Sequence, residues 1–272
     1  MNAIQINNLS FFYENENKTC VLNNINLSIK KRDFAGIIGA TGSGKTTFAL
    51  CLNGLIPNSI NGIFSGTVKI KGISTKKARI AELSKTIGLV FQDPDSQLFA
   101  LTVFDEVLFG PENLGLDKNE IEKRANNALK MTGIYDLKNR ETHSLSDGQK
   151  QKVCIASILA MDPEILVLDE PTAKLDYKST KEIYEILRAL NKKGKTIILI
   201  EHKVEWLYNY ANRIIVMNNS NFELDGKPNE IFKKSSYLKS IGLEVPQSMK
   251  LKEKIKKLER KISQMTKGDL LD

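Results

Sequence analysis

The sequence predicts an α/β protein: a parallel core sheet, an antiparallel β lobe, an inserted helical subdomain and a small C-terminal extension. Three observations carry that prediction. Residues 34–39 form a short apolar run that leads into a glycine-rich loop and then a helical stretch, 46–55. Residues 165–168 and 196–200 are continuous apolar runs, as expected of parallel strands covered on both faces. Residues 4–9, 21–29 and 64–71 instead alternate or are rich in β-branched side chains, as antiparallel strands are.

The elements follow in order along the chain. The polar stretch Asn15-Glu16-Asn17-Lys18 is a turn joining the first two lobe strands. The run 87–91 is strand-like and ends at Gln92. From Asp93-Pro94 the pattern changes to helical stretches such as 118–131, which marks an insertion. Helix 179–190 separates the two continuous apolar runs from one another. Strand 213–217, the turn Asn218-Asn219-Ser220-Asn221 and strand 222–225 form a closing hairpin. Beyond about residue 232 the character departs again. There Leu251, Ile255, Leu258, Ile262 and Met265 make one apolar stripe on a helix, by default its packing face.

Composition sets bounds on function. The chain has 272 residues, 41% hydrophobic and 26% charged, ordinary values for a globular protein. No apolar run reaches the length that crosses a bilayer, and the N-terminus lacks a secretion signal, so a cytoplasmic location is expected. Cys20, Cys51 and Cys154 are scattered and odd in number, which argues for reduced thiols rather than a zinc cluster. The net charge of +8 is concentrated in the basic stretch 250–257 and otherwise spread singly, with no aromatic-rich basic stripe. Nucleic acid is therefore not an expected partner. The excess reads as a solvated surface, with attraction to anionic lipid as the second possibility.

The chemistry lies in four motifs. Gly39-Ala40-Thr41-Gly42-Ser43-Gly44-Lys45-Thr46 fits the phosphate-binding loop G-x-x-x-x-G-K-[ST], and it has the strand and helix flanks that loop requires. Gly42 and Gly44 permit tight curvature and close approach. The amides from Gly39 through Thr41, Ser43 and on to Thr47 then form an anion nest at a helix N-terminus. Lys45 adds a mobile positive charge, and Thr46 offers a hydroxyl to Mg²⁺. Asp169 ends a buried strand, where a carboxylate can hold the metal shell. Glu170 follows and can orient and deprotonate an attacking water, a step worth roughly 10²–10⁴-fold in rate. Gln92 can ligate Mg²⁺ or orient water without adding charge. His202, after 197–201, either contacts a γ-phosphate or makes a local strand-end bond. Tyr13 either stacks on adenine or packs within its lobe. The fourth motif, Leu145-Ser146-Asp147-Gly148-Gln149, is a turn that presents a helix N-terminus to an anion.

Together these motifs resemble the ATP-binding-cassette (ABC) ATPases over most of the chain. The resemblance implies an ABC-type P-loop NTPase at residues 1–232, with its helical subdomain at about 93–160. Residues 233–272 are then a C-terminal extension with an amphipathic helix. It implies ATP and Mg²⁺ as cofactors, with Thr46, Gln92 and Asp169 on the metal and Glu170, His202 and Gln92 as catalytic groups. Two cassettes of that family face head to tail. Ser146, Gly148, Gln149 and Asp176 would accordingly serve an ATP held by the phosphate loop of a second cassette.

A narrower resemblance lies in Phe91-Gln92-Asp93-Pro94-Asp95-Ser96-Gln97-Leu98-Phe99, in Phe109-Gly110-Pro111-Glu112-Asn113-Leu114-Gly115-Leu116 and in Ile241-Gly242-Leu243-Glu244-Val245-Pro246. These look like the ATPase subunits of energy-coupling factor (ECF) importers of vitamins or transition-metal ions. That resemblance implies three partners: a second ATPase subunit, identical or not, an integral membrane coupling protein and a substrate-binding membrane protein. The chain would sit at the cytoplasmic face of the cell membrane, and residues 93–116 would receive the coupling helices.

Three residues depart from the family pattern: Asp147 replaces the usual glycine, Lys174 a small residue and Lys152 an arginine. A charge at Asp147 about 8 Å from a phosphate would repel it by roughly 0.5–2 kcal/mol for effective dielectrics of 80 to 20. Either Asp147 weakens the partner's ATP site, or it points to solvent and changes little. Rival readings are a cytosolic ABC ATPase of translation or repair, the ATPase of another importer class, and a nucleotide-gated module without turnover. The 53 residues from Gln92 to Leu145 (145 − 92) are too few for the long insertions of repair ATPases. The Pro-Glu-Asn segment and the tail disfavour other importer classes, and Glu170 disfavours a module without turnover.

Overall fold

The computed structural model describes residues 2–14, 19–251 and 254–255. In chain order, β1 (Asn2–Tyr13) and β2 (Cys20–Lys30) precede β3 (Phe34–Gly39). Helices α1 (Lys45–Leu52) and α2 (Leu55–Asn58) lead to β4 (Gly62–Ile70) and β5 (Ile73–Ser74). Then come α3 (Ile80–Leu83), β6 (Ile87–Val90), α4 (Val103–Asn113), α5 (Lys118–Met131) and α6 (Asp147–Ala160). Strand β7 (Ile165–Asp169), α7 (Tyr177–Lys192), β8 (Thr196–Ile200), α8 (Val204–Tyr210), β9 (Arg213–Asn218) and β10 (Asn221–Gly226) complete the core. Two short helices, α9 (Pro228–Phe232) and α10 (Ser235–Ser240), follow.

The fold class is the one expected. One sheet has the order β2-β1-β4-β5 and is antiparallel throughout. The other has the order β10-β9-β3-β8-β7-β6, parallel except for the β9–β10 hairpin at its edge. The continuous apolar runs have a direct cause. Phe34, Ile38, Leu166, Leu168, Ile197 and Leu199 enter one core, with helices α4 to α8. Ala35, Ile37, Ile165, Val167, Ile198 and Ile200 enter a second core, with α1 and the antiparallel lobe. Successive side chains point to opposite faces of a strand, so a sheet covered twice needs apolar residues at every position.

One boundary differs from expectation. The helix after the glycine loop ends at Leu52 rather than 55, because Gly54 adopts φ +81 and a new helix starts at Leu55. The turn at residues 15–18 lies outside the described residues, as do Leu258, Ile262 and Met265 of the C-terminal stripe. The start of the C-terminal extension is not an independent appendage in its packing. Leu238, Leu243, Val245 and Met249 are buried in the same core as α6 and β7. The Glu205 carboxylate on α8 accepts the Gln247 and Ser248 amides at 2.7 and 3.3 Å. Leu251 and Ile255 are exposed.

This packing has a measurable consequence. Leu238→Ala should destabilise the whole domain by about 2–5 kcal/mol, with a single unfolding transition in urea. A melt in which only a C-terminal segment detaches, leaving the main transition unmoved, would contradict it.

Candidate nucleotide site

The carboxyl ends of β3, β6, β7 and β8 converge on one cleft. In the sheet register Ile37 pairs with Ile200, Ile200 with Asp169, and Val90 with Leu168. The residues just beyond these strand ends are therefore neighbours, although they lie far apart in sequence. A cleft of about 440 Å³ is lined by Val21, Thr41, Gly42, Gly44, Lys45, Thr46, Thr47, Gln92, Glu170 and His202.

The glycine loop is built for close approach. Gly42 has φ +77 and Gly44 φ +106, both left-handed. A Cβ on Gly44 would sit 2.4 Å from the Val21 carbonyl, and one on Gly39 would sit 2.4 Å from the Met217 carbonyl. Lys45 is 5% exposed, and its Nζ donates to Gly39 O and Ala40 O, both at 2.9 Å. Burial pushes its ammonium below the usual lysine range, against the charges of Glu170 and Asp169. The Ser43 hydroxyl is buried without a partner among the described residues.

Glu170 is held from two sides. Gln92 Nε2 donates to one carboxylate oxygen at 3.0 Å, and His202 Nε2 lies 2.9 Å from the other. Its backbone is left-handed, φ +48, a conformation that costs energy in a residue other than glycine. Its amide donates to Ile200 O at 2.9 Å, which anchors the turn on β8. Beside it Asp169 is 3% exposed, and its Oδ1 has no hydrogen-bond partner among the described residues. Burial pushes the Asp169 carboxyl above the usual range, while a Thr46 hydrogen bond opposes the shift, Glu170 adds to it and Lys45 opposes it. A buried carboxylate oxygen without a partner among the described residues, on a side chain bonded to the Thr46 hydroxyl, suits a divalent cation. Mg²⁺ needs only one or two protein ligands, the rest being water and phosphate.

The other expected residues divide into two groups. Tyr13 stands at the edge of the cleft, where its hydroxyl lies 3.1 Å from Thr47 Oγ1 and its ring is edge-on to Phe11. Ser146, Gly148, Gln149 and Asp176 do not line the cleft. Ser146 caps α6 in a reciprocal capping box with Gln149. Asp176 caps α7 through the Ser179 amide at 2.8 Å, and that bond holds its carboxyl below the usual range. These two helix starts touch, since a Cβ on Gly148 would lie 2.8 Å from Ser179 Oγ. Asp147 is exposed, and Lys174 lies near it, paired with Asp93 at 2.9 Å. Lys152 pairs with Glu182 at 2.5 Å. Val21 was not identifiable from sequence: it is one apolar residue on a lobe strand, and only tertiary packing brings it to the loop.

The ABC transporter family profile matches residues 22–173. The chain is 46% identical to the energy-coupling factor transporter ATP-binding protein EcfA1 of Caldanaerobacter subterraneus subsp. tengcongensis, over 93% of this chain and 91% of that protein. Among solved structures it is similar to cbiO1 from Clostridium perfringens, part of the ABC transporter complex cbiONQ. The TM-score is 0.77 and the identity 37%, covering 93% of this chain and 99% of that one. It is also similar to the dimeric ATP-binding cassette MJ0796 in a post-hydrolysis state bound to ADP and Pi. There the TM-score is 0.72 and the identity 31%, covering 83% and 98%.

The partnerless Asp169 oxygen generates a prediction. Because its folded-state pKa lies above the unfolded value, its contribution to stability is full at low pH and is lost as pH rises through the folded value. At pH 7 this carboxyl therefore makes the nucleotide-free fold less stable than it is at low pH. Asp169→Asn should raise the melting temperature of the nucleotide-free protein at pH 7, and the gain should vanish below about pH 3.5, where free Asp is itself protonated. Equal melting temperatures at pH 7 would refute this.

Proposed function

The chain belongs to the ABC transporter family of ATP-binding proteins and is an ATPase; from that premise we propose that it is the energy-coupling subunit of an ECF-type membrane importer. Its cargo on this reading is a vitamin or a transition-metal ion. The observation that carries the hydrolytic part is the double restraint on Glu170 by Gln92 and His202, at the mouth of the phosphate loop.

The residues divide the chemistry among them. The loop amides from Gly39 to Thr47 and the Lys45 ammonium bind the phosphates of ATP, and Tyr13 supports the adenine end. Thr46, Gln92 and Asp169 would hold Mg²⁺, which would offset phosphate charge. Glu170 orients a water for in-line attack on the γ-phosphorus and takes its proton as the bond to the ADP oxygen breaks. His202 and Gln92 keep the Glu170 oxygens aimed and contact the γ-phosphate side of the cleft. Ser146, Gly148, Gln149 and Asp176 stand on a separate pair of helix starts, which supports their use by the ATP of a second, facing cassette. Closure of the pair can do work only through the difference in ATP affinity between its closed and open states.

Coupling to a membrane partner is supported by the surface of the helical insertion. Phe99, Leu101 and Phe109 are 63%, 65% and 47% exposed, and the rings of Phe99 and Phe109 meet edge to face at 4.5 Å. Phe99 and Phe109 border a largely apolar groove of about 250 Å³ with Leu114, Ile158 and Met161. Buried Glu106 accepts the Phe99 and Ala100 amides at 3.0 and 2.8 Å and so fixes the groove's rim. A groove of this kind accommodates a short helix of a membrane protein. No helix among the described residues is long and apolar enough to cross a membrane, consistent with a peripheral subunit held there by its partners.

Two measurements test the proposal. Glu170→Gln should reduce steady-state ATP hydrolysis by roughly 10²–10⁴-fold while ATP binding persists; hydrolysis at the parent rate would remove Glu170 from the base role. Phe109→Asp should abolish co-purification with integral membrane proteins from the native host without lowering the melting temperature. Retention of those partners would move the docking surface elsewhere.

A further inference from the structure

Residues 171–176 connect Glu170 to the cap of α7, and they are fastened to the His202 strand end from two directions. Lys203 Nζ donates to Thr172 O at 2.6 Å, to Leu175 O at 3.1 Å and to Thr180 Oγ1 at 3.3 Å. An ammonium has three N–H donors, and here every one has an acceptor on this loop or on the first turn of α7. The preceding residue but one, Glu201, is 1% exposed. One of its oxygens accepts the Thr172 hydroxyl at 2.5 Å, and the other accepts the His202 and Lys203 amides at 3.2 and 3.5 Å. His202 is thus bracketed by two side chains that both grip Thr172. The chain of bonds runs from Glu170 through His202, Glu201 and Lys203 to Thr172, Leu175 and the Asp176 cap.

We propose that Lys203 is a positioning residue for ATP hydrolysis: it locks the Asp176 loop to the strand end that carries His202, so the two move as one body. This rests on the ATPase reading of the cleft. Lys203 does not line that cleft, so it has no direct part in nucleotide binding. Its effect reaches the reaction through the placement of His202 against Glu170, and of Asp176 toward a facing cassette. Within the loop itself the backbone bonds are few: Ala173 N to Glu170 O at 3.2 Å and Leu175 N to Thr172 O at 3.1 Å. Without the ammonium, the Leu175 carbonyl would keep only the long 3.5 Å contact from Thr180 Oγ1.

The test is the kinetics of Lys203→Met and Lys203→Arg in the full chain, in whatever complex the parent forms, with ATP binding followed by a fluorescent ATP analogue. Lys203→Met should lower kcat roughly 10- to 100-fold while KM and analogue affinity stay within about threefold, the pattern of lost positioning rather than lost binding. Lys203→Arg, which keeps the charge and donors, should recover most of the rate. If Lys203→Met does not fold by circular dichroism, Thr180→Val replaces it, with an expected fall in kcat of about threefold at unchanged KM. A kcat within twofold of the parent, or a raised KM at unchanged kcat, overturns the assignment while leaving the ATPase reading intact. A parent chain that hydrolyses no ATP overturns both.

Discussion

Parallel pairing of β9, β3, β8, β7 and β6 is the constraint on which everything else in the molecule depends. In a parallel sheet the carboxyl ends of all strands lie along one edge, so a short step past each strand lands in a common place. That is why Lys45, Gln92, Glu170 and His202 share a cleft despite spanning nearly 160 residues (202 − 45 = 157). Glycine placement serves the same constraint. A side chain on Gly36 would press on Leu207, 2.8 Å away, and would part α8 from the sheet. Covering both faces with helices and lobe excludes water from beneath the cleft, which keeps its electrostatics strong.

Opposite charges are brought together in the cleft by the strand ends. Asp169 and Glu170 are adjacent carboxylates, and their neighbours Gln92 and Thr46 contribute no charge. Lys45 interacts electrostatically with both carboxylates, yet its ammonium donates to two loop carbonyls. Burial disfavours the charged forms of both Lys45 and Asp169. The left-handed backbone of Glu170 costs energy in a residue other than glycine, and it stands directly beside the buried Asp169.

Much of this was legible in the sequence because a few rules left little choice. A strand covered on both faces must be apolar throughout, and a loop that wraps a phosphate must be free of side chains at its tightest points. Runs 165–168 and 196–200 and the glycines at 42 and 44 follow from those rules alone. What escaped was long-range contact. Nothing in the stretch Glu201-His202-Lys203 indicates that its first and last members grip Thr172, some 30 residues earlier. The character of the chain shifts after residue 232, and Leu238 and Met249 are nevertheless buried in the main core. Composition reports how polar a segment is, not which groove it fills.

Asp147, Lys152 and Lys174 share a physical feature: each lies near an opposite charge in the same chain. Lys152 is mostly buried and pairs with Glu182, linking α6 to α7 as an arginine there would. Lys174 bonds Asp93 and is held above the usual lysine range by that bond first, with Asp147 contributing through space. The added cation thus lies where it offsets the added anion at the start of α6. Both side chains are exposed, so water and salt screen what remains. The repulsion expected of Asp147 alone is an upper bound for the pair. The stronger consequence is mechanical rather than electrostatic. Lys174 ties the loop of Asp176 to Asp93, immediately after Gln92, while Lys203 ties the same loop to His202. Residues 171–176 are therefore bridged both to the segment proposed to receive membrane helices and to the strand end that carries His202.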